Sequence, residues 1–357
     1  MIYRSEFLSS SGIGERFFAG ISVPDRDFVT ELDALWRAYG TAAAECGCGE
    51  NSEMLLRFHL SDVTNQAPLL RALTEGRKSF VSVIGQPPIG GRVALEAWHW
   101  LGRPERYAAH WFQRGRCDAV GSLAQTKAEF ASLEKFLSEM GGDVASNTVR
   151  TWLYCRDVDN NYAGLVAGRN EFFAAHGLTA DTHFIASTGI GGQSEEPARL
   201  VKMESLNFFG LGAGQLTYLK APEMLSPTTL YGVSFERGTR LAFGDRAYCF
   251  ISGTASIDRE GRVVHPGDVA AQTGRMLDNV AALLAAGRAE LSDVRWATLY
   301  LRDPADAPTV LPLVRARLGA DRPLIAVRAP VCRPAWLVEM ECVAVNSRGE
   351  TAFAPLA

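Results

Sequence analysis

In the last third of the chain the spacing of apolar positions switches between two periods. From Ala271-Gln272-Thr273 they recur at helical spacing, with Met276, Val280, Leu283 and Leu284 on one face, and the run stops at Gly287. Val294 to Leu301 (VRWATLYL) is a short, nearly continuous apolar stretch, which predicts a buried strand ending at Arg302-Asp303. A short helix from about Pro308 to Leu318 and strands over Leu324 to Arg328 and Trp336 to Val345 complete the unit. The same succession begins at Ala124-Gln125-Thr126. Its helix carries Phe130, Leu133, Phe136, Leu137 and Met140 on one face and ends at Gly141-Gly142, and the strand Val149 to Cys155 reaches Arg156-Asp157. A helix over Tyr162 to Ala175 follows, then strands near Thr182 to Ser187 and Arg199 to Asn207. A fainter copy opens the chain, with Phe28, Leu32, Leu35, Trp36 and Tyr39 on a helix, the strand Met54 to Leu60 ending at Ser61-Asp62, and a closing strand Val93 to Trp100.

Each copy reads β-α-β-α-β-β, an α+β unit too small to cover its sheet well alone. The expected division is a degenerate N-terminal repeat over 1–115, a second repeat over 116–210, a connecting loop or hairpin over 211–246, and a C-terminal repeat over 247–357. The connecting segment is rich in Pro, Gly and Tyr. Two glycine-rich runs, Phe209 to Gly214 and Ser187 to Gly192, lack the following helix that would receive a phosphate, and the second reads as a flexible turn beside a pocket.

Composition narrows the partners. A net charge of −4 leaves no basic stripe for nucleic acid. No apolar run approaches the roughly 20 residues needed to cross a bilayer, and the N-terminus lacks the layout of a signal peptide, so the cytoplasm is the expected location. The 7 cysteines read as free thiols. Cys46 and Cys48 are spaced too closely for a zinc knuckle, and the 6 histidines show no ligand spacing, so neither metal nor cofactor is expected.

Cys249 to Val345, opened by Phe250-Ile251-Ser252-Gly253 and closed by Val338-Glu339-Met340-Glu341, resembles a subunit of the Rid (reactive-intermediate deaminase) family. That family is similar in fold to bacterial chorismate mutase and forms trimers with sites between subunits. The resemblance therefore implies three Rid-like units in one chain forming a pseudo-trimeric ring, and a monomer, since the chain supplies its own sheet edges. Rid deaminases hold a substrate carboxylate with an arginine on the penultimate strand, and the matching stretch Asp321 to Ile325 has none within the strand. Ser252 to Ile257, Val331-Cys332-Arg333-Pro334, Tyr218 to Pro222, Tyr231 to Gly238, Asp62 to Gln66 and Gly85 to Pro88 look like the chorismatases, a resemblance that covers almost the whole chain. It implies a cofactor-free enzyme that splits the enolpyruvyl ether of chorismate, releasing pyruvate and a six-membered ring product.

That chemistry needs a carboxylic acid kept protonated by a dry pocket. Glu339 and Glu341 share strand parity. Glu341 is matched by Glu204 and Glu96 in the other copies and reads as structural, whereas Glu339 is matched by Lys202 and Ala94. Glu339 is therefore the candidate acid. Arg237 and Arg150 are candidates for holding the substrate carboxylates, with Tyr231 adding a hydrogen bond, although a strand arginine is as often a structural ion pair. By resemblance, a cysteine seven residues before the acid, here Cys332, marks the type that makes 3-hydroxybenzoate; read alone it is a small buried thiol. Hydrolysis to a dihydroxycyclohexadiene carboxylate, Rid-like deamination of imines or enamines, and non-catalytic binding of a small molecule are the alternatives.

Overall fold

The structure is a computed structural model that describes residues 1–10 and 12–356. It contains three sheets. The first is built from β1 (Ile2–Phe7), β2 (Gly14–Ile21), α1 (Phe28–Glu45), β3 (Glu53–Leu60), α2 (Val63–Thr74), β4 (Phe80–Gly85) and β5 (Val93–Leu101). The second comprises β6 (Ala108–Gln113), α3 (Ser122–Glu139), α4 (Val144–Asn147), β7 (Thr148–Cys155), α5 (Val158–Ala175), β8 (Ala186–Gly191) and β9 (Val201–Phe209). The third comprises β10 (Leu216–Tyr218), β11 (Gly238–Ala242), β12 (Ala247–Ala255), α6 (Val269–Ala286), β13 (Val294–Leu301), α7 (Ala307–Leu318), β14 (Leu324–Arg328) and β15 (Val338–Asn346). The strand orders β2-β5-β3-β4, β6-β9-β7-β8 and β12-β15-β13-β14 correspond one to one, and in each sheet a single pair, β3·β4, β7·β8 or β13·β14, runs parallel. The Rid-like unit thus fits all three segments.

Alternation along the strands gives each sheet two apolar faces. On β5, Val93, Leu95 and Ala97 pack with the helices of their own unit, while Ala94, Trp98 and Trp100 enter a core shared by all three sheets. β9 divides likewise, with Val201 and Met203 on the helix side and Leu206 and Phe208 in the shared core. Trp98 packs edge-on to Trp296, and Trp111 stacks on Trp152 with ring centroids 5.4 Å apart.

At the middle of that core the closing-strand glutamates bridge the sheets. Trp152 Nε1 donates to Glu341 at 2.8 Å, Arg57 Nη2 to Glu204 at 3.0 Å, and Thr298 Oγ1 to Glu96 at 2.6 Å. Arg57, Trp152 and Thr298 occupy one register position, each facing the glutamate of its own sheet while bonding the glutamate of another. The bonds run from the first sheet to the second, the second to the third and the third to the first. Gln86, in the Gly85 to Pro88 stretch, adds a link, its Oε1 accepting from His59 Nδ1 at 2.9 Å and its Nε2 donating to the Gly191 carbonyl at 2.7 Å.

One expectation is corrected. The strand placed near Thr182 to Ser187 lies further on, and the Ser187 to Gly192 run read as a flexible turn is most of it, buried as β8 and parallel to β7. Its glycines serve close packing: a Cβ on Gly191 would stand 2.8 Å from Pro330, and one on Gly189 would stand 3.1 Å from the Tyr162 ring. Within the 211–246 segment β10 and β11 pair antiparallel with each other and extend the third sheet through antiparallel pairing of β11 with β12. No helix among the described residues is long and apolar enough to cross a membrane.

Glu341 also accepts from Arg150 Nη2 at 2.8 Å, both side chains being buried. Replacing Glu341 with Gln leaves that guanidinium without its counter-charge, and breaking one side of a buried pair typically costs about 3–5 kcal/mol. Glu341→Gln is therefore expected to shift equilibrium urea unfolding by that amount. A loss under about 1 kcal/mol, within the range of ordinary surface substitutions, would show that the bridge is dispensable.

Candidate active site

The second and third sheets meet along β8 and β12. β12 carries a register shift between Ile251 and Thr254 opposite β15, a bulge that frees Ser252 and Gly253 from the ladder. The Gly253 N–H donates to Thr188 Oγ1 at 2.8 Å, and the Ser187 N–H donates to Ser252 Oγ at 3.0 Å, so the bulge stitches one sheet to the other. It also makes room. A Cβ on Gly253 would lie 2.1 Å from Glu339 Oε1, so only glycine leaves this carboxyl its place.

Glu339, 5% exposed, faces a chamber of about 40 Å³ between the two sheets. Cys332, Tyr231 and Arg237 line the same chamber, so four of the five residues singled out from sequence come together. Arg150 does not line it. Its guanidinium is bound to Glu341, to Ser252 Oγ at 3.2 Å and to Thr188, the ion-pair alternative for a strand arginine.

Burial, reinforced by the neighbouring Glu341 charge, pushes the Glu339 carboxyl up to about 8, with Arg237 and Arg150 pulling the other way. No ion pair among the described residues includes Glu339. Its counterparts behave differently. Burial opposes ionisation of Glu204 and Glu96 too, but Lys202 and Arg57 around Glu204, and His59, Arg57 and Thr298 around Glu96, hold both below the usual carboxylate range. Burial, then the Glu339 charge, raises the Cys332 thiol to about 12, so it stays protonated at neutral pH. That leaves it as an uncharged wall group.

Two further chamber residues escape the sequence reading. Arg169, 1% exposed, has its Nε and Nη2 buried without partners among the described residues, and Arg237 Nε is in the same condition. Buried unpaired guanidinium donors facing one cavity are groups waiting for an acceptor. Tyr162, two turns before Arg169 on the same face of α5, lies against Cys332 and Gly189. The signal for Arg169 was present: it falls four residues after Leu165 and four before Phe173, inside the buried stripe of α5, where a charge needs a reason. The Tyr231 ring meets two cations, with Arg333 Cζ 4.5 Å and Arg237 Cζ 5.5 Å from its centroid.

Residues 240–346 match the family described as Endoribonuclease L-PSP. The 3-hydroxybenzoate synthase of Streptomyces hygroscopicus is 26% identical over 263 residues, 66% of this chain and 73% of that protein. The chorismatase of Streptomyces rapamycinicus is 28% identical over 284 residues, 70% of this chain and 81% of that protein. The 3-aminoacrylate deaminase RutC of Acinetobacter baylyi is 32% identical over 96 residues, 27% of this chain and 76% of that protein. A chorismatase crystal structure superposes with a TM-score of 0.66 at 20% identity, covering 96% of this chain and 99% of the other. Three Rid-like sheets with one acid-bearing chamber between the second and third define the class. The chain belongs to the chorismatase family, with a C-terminal unit of the L-PSP and RutC kind.

The raised Glu339 carboxyl has a thermodynamic signature. In the unfolded chain it titrates near 4.5, in the folded protein near 8, so between these values the folded state holds the extra proton. Stability attributable to this group is complete below about 4.5 and is lost as pH rises towards about 8. Urea midpoints of wild type and Glu339→Gln should therefore diverge across that window, with wild type losing more. Parallel curves would show that Glu339 titrates normally.

Proposed function

We propose that this chain cleaves chorismate to pyruvate and 3-hydroxybenzoate, with Glu339 as general acid. The observation that carries the reading is a carboxyl kept protonated by burial in a chamber that also presents unpaired donors of Arg169 and Arg237. The relatives named 3-hydroxybenzoate synthase and chorismatase support the substrate. Glu339 passes its proton to the vinyl CH₂ of the enolpyruvyl arm. The ring C–O bond then breaks, its electron pair completing the keto group of pyruvate and leaving a cation on the ring. The adjacent ring hydroxyl closes on that cation and loses its proton; protonated reopening of the three-membered ring and loss of the ring C–H proton give the aromatic product. Two protons enter, on the vinyl carbon and at ring reopening, two leave, from the hydroxyl and the ring C–H, and no water is consumed.

Arg237 and Arg169 hold the two carboxylates, and Tyr231 supports Arg237. Arg150 acts from behind, fixing Glu341 and lending positive charge near Glu339. Cys332 fills the wall where water would otherwise reach the cation, which favours 3-hydroxybenzoate over the dihydroxycyclohexadiene carboxylate. An imine-deaminating role has less support, since the one arginine of β14 is its last residue, exposed Arg328, outside the chamber.

Product chromatography after incubation with chorismate tests both residues together. Glu339→Gln should lower turnover by about 10²–10⁴-fold, roughly 3–5 kcal/mol of barrier, and wild-type activity should fall as pH rises through about 8. Cys332→Ala opens space for about one water molecule, so it should raise the share of dihydrodiol while costing less pyruvate release than Glu339→Gln. A Glu339→Gln protein retaining more than about a tenth of activity would place the acid elsewhere, and an unchanged product ratio in Cys332→Ala would remove the role of the thiol.

We also infer that the cyclic glutamate bonds close the three units into a pseudo-trimeric ring within one monomeric chain. Light scattering should return the mass of a single chain. A stable trimer would overturn the assignment.

A further inference from the structure

The chamber is too small for its substrate. About 40 Å³ accommodates on the order of three waters, far less than a substituted cyclohexadiene with two carboxylates. A second cavity of about 190 Å³ lies directly beyond it, and Phe235 and Arg237 form part of the wall of both. Its remaining wall comes largely from the segment between β10 and β11, including Lys220, Ser226, Thr228 and Thr229. The Lys220-Ala221-Pro222 stretch has no part in the chemistry above.

The outer cavity carries unmet polar groups. Ser226, 2% exposed, has its hydroxyl buried without a partner among the described residues, and so does Nε of Arg237, whose Nη2 donates to the Ser226 carbonyl at 3.2 Å. Glu236, the acid on this wall, accepts the Phe184 N–H at 3.0 Å, and burial raises its carboxyl while Lys220 and Arg237 oppose. Hydroxyls, a lysine at the rim and a shared arginine suit one small carboxylate. Ala180, Phe184, Ala221, Pro222 and Leu225 make the rest of the wall apolar, which suits the methyl end of such a ligand.

We propose that the outer cavity is a second binding site, for a short α-keto acid: pyruvate released at Glu339 passes across Arg237 into it and leaves past Lys220. This rests on the chorismate-cleaving reading above. Arg237 is the hinge of the transfer, since it faces Glu339 on one side and Ser226 on the other. The Phe235 and Arg237 partition yields when substrate is bound, joining the two spaces.

Calorimetric titration of the full-length protein with pyruvate tests this without requiring turnover. Wild type and Glu339→Gln should bind pyruvate. Ala180→Trp, which plugs the exposed rim of the outer cavity, and Lys220→Gln should weaken binding by at least about tenfold, or one decade in Kd. In Ala180→Trp, steady-state kcat should fall further than the single-turnover cleavage rate, because release and not chemistry is obstructed. Pyruvate binding unaffected by either outer change, or lost in Arg169→Met yet kept in Ala180→Trp, would assign the keto acid to the chamber and overturn the proposal. A protein that cleaves chorismate but binds no pyruvate overturns this inference alone, whereas one that leaves chorismate intact overturns the reading beneath it.

Discussion

Three buried glutamates, Glu96, Glu204 and Glu341, fix how the sheets of this protein meet. Each sits in the shared core, where an unpaired carboxylate would be prohibitively costly, and each is reached by a donor from a different sheet. Apolar packing around Trp98, Trp152 and Trp296 supplies most of the driving force, but it is non-directional. The carboxylates supply the directional term. Sliding one sheet by a residue would turn its glutamate to the helix face and strand Arg57 or Arg150 without an acceptor. Register between units is thus enforced by the cost of the alternatives more than by any large net gain from the bonds themselves.

The same constraint sets the chemistry two residues away. Glu339 shares its strand face with Glu341, and Arg150, which might have neutralised Glu339, is already engaged by Glu341. Glu339 is left with burial and a like charge as the leading influences, and both favour the protonated form. Lys202 at the matching position of β9 donates to the Val83 carbonyl at 2.9 Å and pairs with Glu204. The structural pair of Arg150 and Glu341 therefore helps keep the neighbouring Glu339 neutral.

Much of this was legible in the sequence because period carries it: apolar positions switch between helical and strand spacing in the same order in each unit, and comparison of the closing strands isolates Glu339 as the residue with no counterpart. What one-dimensional spacing does not carry is contact between sheets. Arg150 has the composition of a ligand-binding residue, and only the approach of β7 to β15 reveals its engagement with Glu341. β8 reads as a turn because its glycines lack the side chains that announce a strand, yet they are small so that Tyr162 and Pro330 can approach. Arg169 lay inside the apolar stripe of a helix whose face was read for its hydrophobic members alone.

Carrying three related units on one chain also removes a constraint that a symmetric trimer cannot escape. Identical subunits place identical residues in every interface, so an acid suited to one cleft must be tolerated unpaired in all of them. Here the position of Glu339 is held by a lysine on β9 and by Ala94 on β5, and the connecting segment between β9 and β12 brings Tyr231, Phe235 and Arg237 to one cleft only. A buried protonated acid is a standing cost to stability, growing as pH approaches about 8. Confining it to a single interface leaves the other two free to be built for cohesion, as the Lys202 and Glu204 pair and the apolar Ala94 position are.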